Sequence, residues 1–347
     1  MEWLNTPAQA PNAAMTAAAH LRQTQLTKPA GALGELEAVA IRLAGLQGRE
    51  QPRVDNVHIS VFAADHGVAD EGVSAFPQAV TAQMVHNFLN GGAAINVLAR
   101  EIGATLEIID VGVKTPLTHP NLISQRAGNG TANSALDAAM NTAQLSLALQ
   151  AGADAADRAN AAAADLFIAG EMGIANTTAA TAIYCALLDV AILDATGPGT
   201  GLDRDGMVHK VNVIRRILNQ HRSHFDDPLE VLRRLGGFEI AAITGAYIRA
   251  AQLGLPVLVD GFISTAAALI AINVQPSVAD WLLLSHTSAE PGHFFAIAEL
   301  QQRPLLDLNL RLGEGSGAAV AVPLLRMACA LHNHMATFAE AAVAGKL

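Results

Sequence analysis

From residue 56 onward the chain alternates short β-rich runs with segments of helical periodicity, and this limits the possible folds more than any other feature. Strands are predicted near Val57–Phe62, Thr105–Ile109, Asp165–Ile168, Val190–Leu193, Pro256–Val259 and Trp281–Leu284. Most are apolar on successive residues, as strands covered on both faces must be. Helices are predicted over Gln78–Arg100, Ala135–Ala151, Thr178–Leu187, Lys210–Asn219, Phe238–Gln252, Phe262–Ile272, Ala289–Gln302 and Ser316–His332. Strand–helix–strand units of this kind connect parallel neighbours by crossovers. The expected fold is therefore α/β, a Rossmann-like parallel sheet of about six strands with flanking helices. Hydrophobic residues make up 51% of the chain and aromatics only 4%, so Ala, Val, Ile and Leu must build its core.

Before residue 51 the pattern is helical. An Ala-rich stretch starts at Ala13, the Lys28–Gly34 segment breaks it with Pro and Gly, and Leu33, Leu36, Val39, Ala40 and Leu43 then form an apolar stripe. Residues 1–50, with roughly 303–347, are expected to form a small helical domain beside a large domain over 51–302.

Composition excludes several classes. A formal charge of −10 argues against a general nucleic-acid binder, which needs a basic face, yet leaves room for one phosphate site. The two cysteines, Cys185 and Cys329, lie in apolar stretches and read as core residues. Residues 1–16 lack the basic start and apolar run of a signal peptide, and the apolar stretches are shorter than a membrane span. A cytoplasmic protein with no membrane partner is expected. The 12 histidines show no metal-ligand spacing, so neither a metal nor a cofactor is expected; His332 and His334 point to different helix faces.

Ligands of open α/β sheets bind beyond the carboxyl ends of the strands. Five predicted strands end in Gly-containing polar segments: Ala64-Asp65-His66-Gly67, Gly170-Glu171-Met172-Gly173, Asp194 to Gly201, Asp260-Gly261-Phe262-Ile263-Ser264, and Ser285 to Glu290. One active-site rim explains them together. Asn176-Thr177-Thr178 could be only a helix cap; with Gly173 beside it, the same amides can hold a phosphate. Gly197–Gly201 is neither a Walker loop nor a dinucleotide fingerprint. Arg311-Leu312-Gly313-Glu314-Gly315-Ser316-Gly317 is the most unusual run. A carboxylate between glycines suits a general base better than a packing role, although an exposed turn is the plain alternative. Glu171 is the second candidate carboxylate. Lys210 and Arg311 are the candidate phosphate cations, whereas Arg215 and Arg216 should face solvent. His66 reads equally as catalytic or structural.

At Lys28–Leu36 with its Gly-x-Leu-Gly-x-Leu-Glu pattern, Ala64–Val68, Glu71-Gly72-Val73, Gly170–Thr178, Gly236-Gly237-Phe238, Leu258–Phe262, Ser285-His286 and Arg311–Gly317, the sequence resembles the nicotinate-nucleotide–dimethylbenzimidazole phosphoribosyltransferases, in order along nearly the whole chain. The resemblance implies a large Rossmann-like domain with a small helical domain from both chain ends, working as a homodimer on nicotinate mononucleotide and a benzimidazole base. It implies Glu314 as general base and Glu171 near the ribose. It also implies Gly173, Asn176, Thr177, Lys210, Ser288, Arg311 and Gly313 around the nucleotide, and Phe76, Met84 and Leu312 around the base. Some members carry a small polar residue at the Phe76 position and an amide at the Met84 position, so a more apolar base pocket is expected here. The rival readings are a non-catalytic nucleotide or benzimidazole binder and a Rossmann oxidoreductase; the latter lacks its glycine fingerprint.

Overall fold

The computed structural model describes residues 1–344; the last three positions of the expected small domain lie outside them. Helices α1 (Ala13–Gln25) and α2 (Glu35–Gln47) precede strand β1 (Val57–Ala64). Helices α3 (Val80–Leu89) and α4 (Ala94–Glu101) lead into β2 (Thr105–Gly112) and the short β3 (Leu122–Ser124), and α5 (Thr142–Ala161) returns the chain to β4 (Leu166–Met172). Four helices follow: α6 (Asn176–Leu188), α7 (Ile192–Ala195), α8 (Arg204–His221) and α9 (Pro228–Leu235). After α10 (Phe238–Leu253) come β5 (Val257–Val259), α11 (Phe262–Val274), β6 (Leu282–Leu284) and β7 (His286–Ser288). The chain ends through α12 (His293–Leu300), β8 (Leu306–Leu310) and α13 (Ser316–His334).

The main sheet has six parallel strands in the order β3-β2-β1-β4-β5-β6, and β7 pairs with β8 in a second, two-stranded sheet. Every residue of β1 is buried, the polar His58 and Ser60 included, and both of these face Glu107 on β2. Between β1 and β4 the order reverses, and such a switch point leaves a crevice beyond the strands' carboxyl ends. Helix α10 packs across β1, β2 and β4 and against α5 and α11. At the chain ends, α2 packs on both α1 and α13, and Leu26 bridges to Thr337. Arg22 donates to the His332 and Asn333 carbonyls at the end of α13, satisfying acceptors the helix leaves open. No helix among the described residues is long and apolar enough to cross a membrane.

Several expected elements need correction. Val190–Leu193 is not a strand: α6 ends in left-handed Asp189, Ile192–Ala195 coil into α7, and Leu193 is 71% exposed, so nothing covers two faces of a strand there. The helix expected over Gln78–Arg100 is two, split at Asn90-Gly91-Gly92, where Gly91 has φ +78°. The helix expected from Ala135 starts at Thr142, where Asn141 and Gln144 form a reciprocal capping box. The one expected from Ala289 starts at His293, after Pro291. Helix α9 was unanticipated, although Asp227 caps it and Pro228 opens it. Strands β3, β7 and β8 were also unanticipated; the outer strand β8 is largely exposed and lacks an apolar run.

Candidate active site

The carboxyl ends of β4 and β5 and the turn before α13 enclose a cavity of ≈ 430 Å³. All the expected site residues line it except Lys210. Glu171, at the end of β4, is buried, and its Oε2 accepts from the Asn176 side-chain amide on the first turn of α6. Burial, followed by the charges of Glu239 and Asp260, pushes its pKa up to about 8.

Glu314 enters from the opposite wall. Its backbone is left-handed at φ +64°, between Gly313 at +88° and Gly315 at +81°, a conformation that costs a non-glycine residue roughly 1–2 kcal/mol. The turn presses onto β4: a Cβ on Gly170 would lie 2.3 Å from the Glu314 carbonyl, and the Glu314 N–H donates to the Glu171 carbonyl at 3.2 Å. Only glycine permits that approach. The Glu314 carboxylate accepts from the Ile95 N–H at 3.1 Å in the first turn of α4. Burial raises its pKa, the Ile95 N–H opposes this, and Asp260 adds to the rise. The result is a fixed carboxylate more basic than an exposed one.

Asp260, Glu290, His286 and Thr200 also line the cavity and were not among the expected site residues. Their signal was present, since Asp260 and His286–Glu290 stand in the strand-end segments. Asp260 is buried, and its two oxygens accept from the Gly315 and Ala318 backbone.

Gly197–Gly201 reaches the cavity although no strand precedes it. Lys210, fully buried on α8, donates to the Thr177 hydroxyl at 2.9 Å and the Gly197 carbonyl at 3.1 Å. Burial lowers its pKa to about 8, with Glu290 opposing. Glu290 accepts from the Gly199 N–H at 3.0 Å, and Arg311 donates to the Gly199 carbonyl at 3.1 Å. Two cations and a carboxylate thus pin one loop against the start of α6. Lys210 acts on the wall; Arg311 faces the cavity itself. At the other end Phe76, Val80, Met84 and Leu312 supply an apolar lining, with Phe76 52% and Leu312 60% exposed. Arg215 and Arg216 face solvent, Arg216 paired with Glu71. His66 is buried against Glu239 at 2.5 Å, behind Gly173 and outside the cavity lining.

Four carboxylates around one lining guanidinium suit a reacting centre that carries or develops positive charge. The start of α6 and Arg311 offer the anion site, and the apolar end offers a slot for a flat ring.

A family model described as "Phosphoribosyltransferase" matches residues 8–343. The nicotinate-nucleotide–dimethylbenzimidazole phosphoribosyltransferase of Pseudomonas syringae pv. syringae (strain B728a) is 58% identical over 344 residues, 99% of this chain and 98% of that protein. The protein of the same name from Pseudomonas fluorescens (strain SBW25) is 59% identical over 345 residues, with 99% and 98% covered. Among solved structures, the nicotinate-nucleotide–dimethylbenzimidazole phosphoribosyltransferase of Thermus thermophilus superposes with a TM-score of 0.91 at 47% identity, covering 96% of this chain and 100% of that one.

Proposed function

The chain belongs to the nicotinate-nucleotide–dimethylbenzimidazole phosphoribosyltransferase family, and from that premise we propose how its cavity carries out the transfer. The reaction moves the 5-phosphoribosyl group of nicotinate mononucleotide to 5,6-dimethylbenzimidazole or a related base, giving α-ribazole 5′-phosphate and nicotinate in cobalamin nucleotide-loop assembly. The carrying observation is Glu314, a buried carboxylate in the cavity wall, raised in basicity and fixed by the Ile95 amide. Glu314 takes the ring N–H proton of the base. The other ring nitrogen attacks the anomeric carbon from the face opposite nicotinate, inverting β to α. The C–N electron pair goes to the pyridinium nitrogen and cancels its charge, so the leaving group needs no acid and the step needs no cofactor.

The other residues follow from charge and position. The phosphate lies at the start of α6, by Gly173, Asn176 and Thr177, with Ser288, Arg311 and Gly313 across from it. Lys210 supports this cradle through Thr177 and Gly197. Glu171, its pKa pushed up to about 8 by burial, donates to a ribose hydroxyl when protonated and stabilises oxocarbenium charge when ionised. Phe76, Met84 and Leu312 hold the base.

Residues 1–50 with about 303–347 serve as the small helical domain, and 51–302 as the catalytic domain. The working form is a cytoplasmic homodimer in which the neighbour's small domain covers the exposed Phe76 and Leu312; sedimentation of a purely monomeric active enzyme would remove that part. The function is tested by incubating the protein with both substrates and following nicotinate and α-ribazole 5′-phosphate. Equimolar products that depend on the base are expected. Nucleotide binding without product would favour a non-catalytic binder.

A further inference from the structure

We propose that Asp260 is a positioning residue for Glu314: from the carboxyl end of β5 it caps α13 in trans and so fixes the left-handed turn that aims the base into the cavity. Helix α13 has Gly315 at its N-cap, a residue with no side chain to satisfy the helix's first amides. Asp260 supplies the missing acceptors. Its Oδ2 receives the Gly315 N–H at 3.2 Å and its Oδ1 the Ala318 N–H at 2.9 Å, from positions 55 and 58 residues away in sequence. Gly315 directly follows Glu314, so this contact ties the base's own turn to the sheet. The Glu171 carbonyl holds the turn from the other side. His286, its Nδ1 3.9 Å from Asp260 Oδ1, packs beneath the turn, and a Cβ on Gly317 would meet its ring at 2.2 Å.

Glu314 shares its surroundings with Glu171 on β4, Asp260 after β5, His286 on β7 and Arg311 after β8, with Glu239 on α10 behind Glu171. The Asp260 charge acts to raise the pKa of Glu314. Asp260 therefore sets both the place and the basicity of the carboxylate. The inference rests on the transferase reading above.

The test is Asp260→Asn, which keeps the size, loses one acceptor and removes the charge. We expect kcat to fall roughly 10- to 100-fold while KM for nicotinate mononucleotide stays within about threefold. The acid limb of the kcat profile should move to lower pH, because Glu314 loses a repelling neighbour. A mere helix cap would lower the folded fraction and leave the limb in place. An unchanged kcat, or an unmoved limb, overturns the proposal. Should the variant fail to fold, amide exchange in the wild type decides: Gly315 and Ala318 as protected as the middle of α13 supports it, and rapid exchange at either overturns it. A folded wild type that releases no nicotinate defeats the transferase reading. An active wild type with an inactive Glu314→Gln and an unimpaired Asp260→Asn defeats the positioning role alone.

Discussion

At the scale of single residues, Glu314 occupies a backbone conformation unfavourable to its type, buried where its charge is costly, and both penalties make sense only if the carboxylate is used. Glu314→Gln keeps the shape and the Ile95 contact but cannot accept a proton. Turnover should fall by ~10²–10⁴ with the fold intact, measured at saturating base near neutral pH. Activity within a few-fold of the parent would remove Glu314 from the role. In the wild type, activity should be lost as pH falls through a pKa above the ordinary carboxylate range, since burial raises it. Phe76 and Met84 offer no strong hydrogen-bond group, and each buried methyl of the acceptor should contribute about 1 kcal/mol. Phe76→Ser should narrow the preference for dimethylbenzimidazole over adenine or phenols by roughly tenfold; unchanged product ratios in competition would put Phe76 outside the base slot. The glycine-flanked Glu314 was legible because the pattern serves no packing purpose. Lys210 was legible as a cation but not as a buried wall support, because its partners Thr177 and Gly197 are set by tertiary structure.

Among elements, the site depends on contacts that leave no room for side-chain atoms. Gly170 on β4 lies under the Glu314 turn, and an added Cβ would meet backbone atoms that cannot swing away. Gly170→Ala should therefore displace the turn and cost about 10²-fold in kcat, with the sheet still folded; normal turnover would show the turn to be adaptable. Lys210→Ala should release Gly197–Gly201 and weaken nicotinate mononucleotide several-fold more than the base. Equal effects on both KM values would limit Lys210 to general stability. The sequence revealed β1 and β4 well, because strands buried on both faces are mostly apolar, with only His58 and Ser60 in β1 and Glu171 at the end of β4 as exceptions. It misled at Val190–Leu193, where the last two of four apolar residues open α7 and Leu193 is exposed. β7 and β8 escaped notice because a short outer pair carries no continuous apolar run. Asp260 was visible as a strand-end residue, but its acceptors' donors lie far along the chain, so its capping role was not.

For the whole molecule, the cavity concentrates buried carboxylates that the remainder of the fold must tolerate. Burial, with neighbouring charges, lifts the pKa of Glu171 to about 8 and raises those of Asp260, Glu290 and Glu314. A carboxyl with a folded-state pKa above its unfolded value adds stability below the unfolded pKa, and loses it as pH rises through the folded one. For Glu171 that window runs from 4.5 to about 8. The opposite case is Glu107, where His58 at 3.5 Å and hydrogen bonds from Arg158 and Ser60 outweigh burial and hold the pKa at about 2. Its contribution is present above 4.5 and lost only as pH falls through about 2, so it does not vary near neutrality. Between pH 6 and 8.5 Glu171 destabilises the fold as pH rises, while Lys210, its pKa lowered to about 8 by burial, and the imidazoles of His221, His286, His293 and His332, their pKa values also lowered by burial, act in the opposite sense. The Glu171 contribution, read as the stability difference between the ligand-free wild type and Glu171→Gln, should fall by roughly 2 kcal/mol across that range, or about 3 °C in Tm for a chain of this size. Nicotinate mononucleotide brings a pyridinium charge to the same carboxylates and should reduce the dependence. Thermal unfolding of both proteins from pH 6 to 8.5, with and without the nucleotide, measures both effects. A wild-type Tm that does not fall relative to that of Glu171→Gln as pH rises would mean that Glu171 is already ionised in the empty cavity, and its role as a donor to the ribose would fall.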